Sequence, residues 1–128
     1  MYKGFIKTAA ILGALCVLLG AFAAHTLKQR ISAYAVDIFE TGVRYQFYHV
    51  FALLATGILY KDFGNKFIKW AGTFFIAGII LFSGSLYLLT YIKATALSGF
   101  NWIGAITPLG GLSFIIGWIC LFSGLLKK

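Results

Sequence analysis

The sequence predicts an all-α fold: an integral membrane four-helix bundle with a short amphipathic helix between spans 1 and 2. Of its 128 residues, 61% are hydrophobic and only 11% are charged, whereas a soluble domain carries roughly 25% charged residues. A soluble chain of this length would leave large apolar patches in water. The composition therefore excludes a soluble single domain.

Four apolar runs alternate with segments that hold almost all the charges, and each run has the roughly 20 residues that a membrane-spanning helix needs. We predict a single four-span domain over residues 1–128, with spans at about 5–24, 37–60, 67–92 and 102–126. Lys3 and Lys7 before the first run resemble a signal peptide. Because that run is longer than a signal core and repeats small residues at helical spacing, we expect it to be retained as a span.

Three shorter elements are predicted around these spans. An amphipathic helix on the outer surface is indicated by apolar residues at helical spacing, namely Leu27, Ile31, Tyr34 and Ile38. Asp37 followed three residues later by Glu40 predicts a capping box at the start of span 2. Thr107 and Pro108 predict the N-cap and first position of span 4, with 101–106 as a separate turn.

The distribution of basic residues predicts the orientation. One side would hold seven of them and the other three: Lys3, Lys7, Lys61, Lys66, Lys69, Lys127 and Lys128 against Lys28, Arg30 and Lys93. By the positive-inside rule, both termini are expected in the cytoplasm, in a cell (inner or plasma) membrane. The net charge of +8 lies in clusters between apolar runs, which indicates membrane anchoring and excludes nucleic acid as a partner.

Small residues are expected to hold the spans together, because helices in lipid gain no hydrophobic benefit from meeting each other. Span 4 carries a stripe of them at spacings of three and four, namely Gly110, Ser113, Gly117, Cys120 and Gly124, and span 1 carries a similar set. We therefore expect spans 1 and 4 to make the tightest contacts. Cys16 and Cys120 have neither the spacing of a disulfide framework nor that of a metal site.

Polar side chains inside apolar spans are costly, so they are the candidate site residues. Ten are predicted to bind a ligand: His25, Glu40, Arg44, Tyr45, Gln46, His49, Ser83, Ser85, Tyr87 and Thr107. Span 2 runs inward from the outer face while spans 1 and 3 run outward, which would bring these residues together in the outer leaflet. The predicted site is a pocket there for a lipid head group or a small polar or anionic solute.

Span 2 carries two pairs of these residues on different helical faces. Glu40 and Arg44 are four residues apart with the acid first, the order that favours an ion pair. Tyr45 and His49 share a face rotated by about 100° or more from the first pair. We therefore expect His49 to be hydrogen-bonded inside the bundle or to face a cavity.

Segments in all four spans carry a resemblance to a known family. They are residues 20–25 (GAFAAH), 40–49 (ETGVRYQFYH), 82–87 (FSGSLY) and 104–111 (GAITPLGG). With them the sequence resembles the membrane protein family called domain of unknown function 423, also known as uncharacterised protein family 0382. Ala23 stands where that family more often has glycine. The resemblance implies a small multi-pass membrane protein and brings no particular activity with it.

Three functions are consistent with these residues: binding or transport of a lipid head group or small polar solute, a structural or assembly subunit of a membrane complex, and a membrane enzyme that uses His25, His49 and Glu40. The enzyme has the least support, because neither a nucleophile motif nor a metal-ligand spacing accompanies these residues. No catalytic residue, metal site or cofactor is predicted. The expected partners are the lipid bilayer, a lipid or small polar ligand, and a second copy of the chain or another membrane protein.

Overall fold

The computed structural model of the chain describes residues 1–95 and 99–127. Within those residues the fold is all α, without a strand. Four long helices follow one another there: α1 (Lys3–Arg30), α2 (Ala33–Phe63), α3 (Lys66–Ala94) and α4 (Asn101–Leu125). The predicted all-α membrane fold class is confirmed, and each predicted span coincides with one of these helices to within a residue at its ends or lies inside it.

Three of these helices are long and apolar enough to cross a membrane: α1 with 28 residues, α3 with 29 and α4 with 25. The second helix has 31 residues, about 46 Å at 1.5 Å per residue, but its polar and charged side chains make it less apolar. That α2 also crosses, and that residues 1–128 form a single domain, stay predictions. Lys128, which we counted for the orientation, lies outside the described residues.

The amphipathic helix predicted between spans 1 and 2 does not form as a separate element. The first helix continues through a π-helical turn at Ala23–Leu27 and ends with Lys28–Arg30. Ile31 and Ser32 are extended, and α2 begins directly at Ala33. The chain therefore reverses within two residues, and of the apolar positions predicted for one helix, Leu27 lies in α1, Ile31 in the turn, and Tyr34 and Ile38 in α2.

Two predicted helix starts are also wrong. The Ser32 hydroxyl caps α2 by accepting a hydrogen bond from the Ala35 amide at 3.2 Å, so the start lies ahead of the expected capping box at Asp37 and Glu40. The fourth helix begins with a 3₁₀ segment, Asn101–Ala105, which agrees with the separate turn predicted at 101–106, but it becomes α-helical at Ile106, ahead of the predicted N-cap. Thr107 and Pro108 lie inside its first α-helical turn, where proline is tolerated because the amide it lacks has no partner there.

The helices pack in sequence order, α1 on α2, α2 on α3 and most extensively α3 on α4. The expected close pairing of spans 1 and 4 is wrong, because the small residues of α4 face α3. A Cβ atom at Gly117 would lie 2.7 Å from the Phe75 ring, and one at Gly110 would run into the backbone of Phe82. All four helices still contribute to one core cluster, formed by Phe5, Ala9, Cys16, Val50, Leu53, Ile79 and Phe114.

Both termini of the described chain lie at the same end of the helices, called here the termini end. The Tyr2 amide donates to the Gly57 carbonyl at 2.8 Å, which places the start of α1 beside the end of α2. The Asn65 side-chain amide donates to the Gly124 carbonyl at 3.0 Å, which joins the start of α3 to the end of α4. The other end of the helices is called the opposite end.

Candidate functional site

The ten residues predicted to form one polar pocket divide into three groups. Five make hydrogen bonds between helices and line neither of the two cavities described below: Gln46, Ser83, Ser85, Tyr87 and Thr107. Three lie apart from these toward the opposite end: His25, Glu40 and Arg44. The remaining two, Tyr45 and His49, line a groove between α2 and α4.

Gln46 joins three helices. Its Nε2 donates to the Leu12 carbonyl of α1 at 3.0 Å, and its Oε1 accepts from the Tyr87 hydroxyl of α3 at 2.6 Å. The Gln46 side chain is buried, with 3% of its surface exposed. Both ends of the amide therefore have protein partners, which makes Gln46 a connection between helices.

Hydroxyl groups of α3 continue this network. The buried Ser83 hydroxyl donates to the Gly42 carbonyl of α2 at 2.6 Å. The Ser85 and Thr107 hydroxyls lie 2.6 Å apart and connect α3 to α4. Among the described residues, every buried side-chain nitrogen and oxygen has a hydrogen-bond partner. These groups are satisfied within the protein and do not point into a shared cavity.

The predicted ion pair between Glu40 and Arg44 is wrong. Arg44 is exposed, and its Nη2 donates to the Thr41 hydroxyl at 3.1 Å. Within residues 1–95 and 99–127, no acidic and basic side chains approach within the 4.0 Å of an ion pair. Glu40 instead borders a small cavity of about 260 Å³ at the opposite end, together with Lys28, Asp37, Ala33 and Val36. His25 is exposed on α1.

The larger cavity, called here the α2–α4 groove, has a volume of about 590 Å³. It is lined by Tyr45, His49, Phe82, Pro108, Gly111, Leu112, Phe114, Ile115 and Trp118. The backbones of α2 and α4 mostly stay apart, because both helices pack on α3, and side chains bridge the space between them. Phe82 of α3 and Phe114 of α4, with ring centroids 5.6 Å apart, lie where the groove meets α3.

His49 is held rigidly at the wall of this groove. Its ring stacks on Phe114 with a centroid distance of 3.5 Å and an interplanar angle of 8°. Nδ1 lies 2.7 Å from the Tyr45 carbonyl, and the Trp118 Nε1–H donates to Nε2 at 3.1 Å. Because a carbonyl only accepts and an indole only donates, these partners select a neutral imidazole with its proton on Nδ1.

Trp118 and Phe114 fix the histidine, and sequence reasoning missed both. Each lies in the apolar run of span 4, where an aromatic residue is expected to face lipid or the core. The indole N–H was the available signal, because a donor in the apolar part of a membrane needs an acceptor. His49 is an acceptor within a neighbouring helix, so the pairing could have been predicted from the two polar atoms.

Three helices long and apolar enough to cross a bilayer, joined by hydrogen bonds between helices, define an all-α membrane protein. The chain belongs to the family described as "Protein of unknown function (DUF423)", whose model matches residues 19–111. The resemblance seen in the sequence is thereby confirmed. The matched range includes both Tyr45 and His49 of the groove.

Relatives from several bacteria match nearly the whole chain. The UPF0382 membrane protein YwdK of Bacillus subtilis is 42% identical over 126 residues, covering 98% of each chain. A UPF0382 membrane protein of Haemophilus influenzae is 41% identical over 129 residues, covering 100% of this chain and 98% of its own. The UPF0382 inner membrane protein YgdD of Escherichia coli is 36% identical over 119 residues, covering 93% and 86%. No solved structure matches the chain.

Proposed function

We propose that this protein binds a membrane lipid in the α2–α4 groove, in a cell membrane and with both termini in the cytoplasm. The location is supported by the excess of lysines at the termini end and by the Escherichia coli relative, which is named an inner membrane protein. The observation that carries the proposal is the groove of about 590 Å³ with a rigid aromatic wall.

The occupant is a lipid because of where the groove opens. Five of its lining residues are exposed: Tyr45, Pro108, Leu112, Ile115 and Trp118. On an apolar helix such as α4, exposed side chains face the hydrocarbon of the bilayer. A molecule entering this groove from the side would be apolar over most of its length, which favours a lipid over a water-soluble solute.

An exposed polar side chain, that of Tyr45, also lines the groove. The Tyr45 side chain is 39% exposed and stacks obliquely on Phe82, with 4.8 Å between the ring centroids. The two His49 nitrogens are already bonded. A polar group of the lipid would therefore meet Tyr45, and His49 would contribute shape through its fixed ring.

Filling the groove tests the proposal. Gly111 lines it, and a Cβ there would meet Phe82 at 4.0 Å, an ordinary contact. Gly111→Leu should therefore fold and occupy the space of the lipid. Gly84→Leu is the matched control, because Gly84 is a helical glycine with nothing within 4 Å of the added atom and lies outside the groove.

Native mass spectrometry after gentle extraction should show lipid retained by the wild type and by Gly84→Leu, and lost from Gly111→Leu. Equal retention by all three proteins would contradict lipid binding in the groove. Thermal unfolding of the two variants shows whether both are folded.

A structural or assembly subunit is the second candidate, because six of the ten predicted site residues are used in hydrogen bonds between helices. It predicts a different result in the same experiment. Another membrane protein would accompany the chain in a fixed stoichiometry, and the Gly111→Leu substitution would leave the retained mass unchanged.

A further inference from the structure

A second arrangement of charge and apolar surface lies at the termini end, on α3 and α4. Lys66 Nζ lies 5.5 Å from the ring centroids of both Phe67 and Trp70. Lys127, two residues past the end of α4, brings its Nζ to 5.1 Å from the same Phe67 ring. Two ammonium groups from distant parts of the chain thus share one aromatic ring.

These ammonium groups have no carboxylate partner within 4.0 Å among the described residues. The termini end carries six lysines in the described chain, namely Lys3, Lys7, Lys61, Lys66, Lys69 and Lys127, and one acid, Asp62. The charge of Lys66 and Lys127 is therefore available to an anion from outside the protein.

The Asn65 side chain fixes the segments that carry the two lysines relative to each other. Its Oδ1 accepts from the amides of Phe67 and Ile68 at the start of α3. Its Nδ2 donates to the Gly124 carbonyl at 3.0 Å and lies 3.4 Å from the Lys127 carbonyl. One side chain thus fastens the end of α4 to the start of α3, beside the shared ring.

An apolar groove begins at the same tryptophan. This α3–α4 groove has a volume of about 520 Å³ and is lined by Trp70, Thr73, Phe74, Ile116 and Cys120. Trp70 is 46% exposed, as is typical of tryptophan at the level of lipid head groups. The lysines lie at one end of a surface that continues into the membrane.

We propose that the termini end binds an anionic phospholipid, whose phosphate lies between Lys66 and Lys127 and whose acyl chain follows the α3–α4 groove. Charge complementarity and the adjoining apolar groove together select a lipid over a free phosphate, because a free phosphate would leave the groove unused. Basic pockets between membrane helices bind lipid phosphates in this way. This site is separate from the α2–α4 groove and does not depend on the function proposed there.

The test compares phosphatidylglycerol with phosphatidylcholine of the same acyl chains, added to the full-length protein in mild detergent and counted by native mass spectrometry. The wild type should bind phosphatidylglycerol more tightly. The double variant Lys66→Gln plus Lys127→Gln should lose roughly thirtyfold in affinity for it, corresponding to about 1 kcal/mol per lysine. Its affinity for phosphatidylcholine should fall much less, because the choline cation offsets the charge of that lipid's phosphate.

Lys3→Gln plus Lys7→Gln is the matched control, because it removes the same charge from the same end, on α1. It should keep the preference for phosphatidylglycerol. Thr73→Trp, which fills the α3–α4 groove at an exposed position, should weaken both lipids.

Three results would overturn the proposal. One is equal binding of the two lipids by the wild type. Another is equal loss of the preference in the Lys3 and Lys7 control, which would indicate a general surface charge. The third is displacement of the lipid by glycerol phosphate at comparable concentration, which would indicate a site for a free anion. Unchanged unfolding temperatures of the variants show that any lost binding is not a loss of folding.

Discussion

The two sides of α3 use close packing at glycine to different extents. Toward α4, backbones approach closely at several glycines, so that Phe75 packs onto Gly117 and Phe82 onto Gly110. Toward α2, the hydrogen bond from Ser83 to the Gly42 carbonyl accompanies one such glycine, Gly42 itself, which packs against Tyr87. Helices in lipid associate through both close packing and interhelical hydrogen bonds, and here both kinds occur on each side, with glycine packing concentrated toward α4.

This difference determines what each interface tolerates. A close-packed glycine interface has no room for a larger side chain, so added volume should be the damaging change. A hydrogen-bonded interface has side chains that can be exchanged for others of equal volume, so loss of one polar partner should be the damaging change. The predictions below test this contrast, from the largest expected effect to the smallest.

Gly110→Leu should cause the largest loss. The added Cβ would run into the backbone of Phe82, which cannot move aside as a flexible side chain can. We expect the free energy of unfolding in mild detergent to fall by about 3 kcal/mol or more, the upper part of the range for overpacked sites. Gly111→Leu, one residue along the same helix with an ordinary contact at 4.0 Å, is the control. Similar losses for both variants would contradict close packing as the cause.

Gln46→Leu should have the next largest effect, because it keeps the volume but removes the bonds to α1 and α3. Interhelical hydrogen bonds in membranes average about 0.6 kcal/mol and reach about 1.7, and the Tyr87 hydroxyl would be left without its acceptor. We therefore expect a loss of about 1 to 2 kcal/mol in the free energy of unfolding.

A double-mutant cycle with Tyr87→Phe separates the shared bond from other effects. The double variant should lose less free energy of unfolding than the two single variants lose together. Each single change leaves the polar atom of the other residue buried without its partner, whereas the double change removes both atoms. Thr73→Val is the control, since the Thr73 hydroxyl bonds only within its own helix, to Lys69. Full additivity in the cycle would show that the 2.6 Å contact between Gln46 and Tyr87 contributes nothing to stability.

Composition and hydropathy predicted the all-α membrane fold, because apolar runs of span length have few other ways to avoid water. Spacing also identified the small residues of α4. It could not say which helix they face, because a stripe of glycines fits any neighbour that offers large side chains. Phe75 and Phe82 on α3 supply these, and neither has a periodicity that distinguishes it from lipid-facing phenylalanines.

The candidate site was harder to predict than the fold. Polarity and depth identified Gln46, Ser83 and His49 as residues that need partners, and the structure gives each of them one. Depth alone could not separate residues that bond to each other from residues that line a cavity. That distinction depends on rotation about each helix axis, which the π-helical turn at Ile79–Ser83 changes in the middle of α3.

The smallest effect is expected for Arg44→Gln. Arg44 is exposed, its bond within residues 1–95 and 99–127 is to Thr41 on its own helix, and its long side chain can reach the membrane surface. We expect the free energy of unfolding to change by no more than about 0.5 kcal/mol, as for most exposed substitutions. Glu40→Gln should act independently, since Glu40 borders the small cavity with Lys28 and Asp37. In the double variant the two effects should add within about 0.5 kcal/mol.

An ion pair between Glu40 and Arg44 would give a different pattern. The single Arg44 change would then leave a carboxylate without its partner, and the double change would restore most of the lost stability. Measuring all three variants at low and high salt separates these outcomes, because only a paired carboxylate would make the rescue depend on ionic strength.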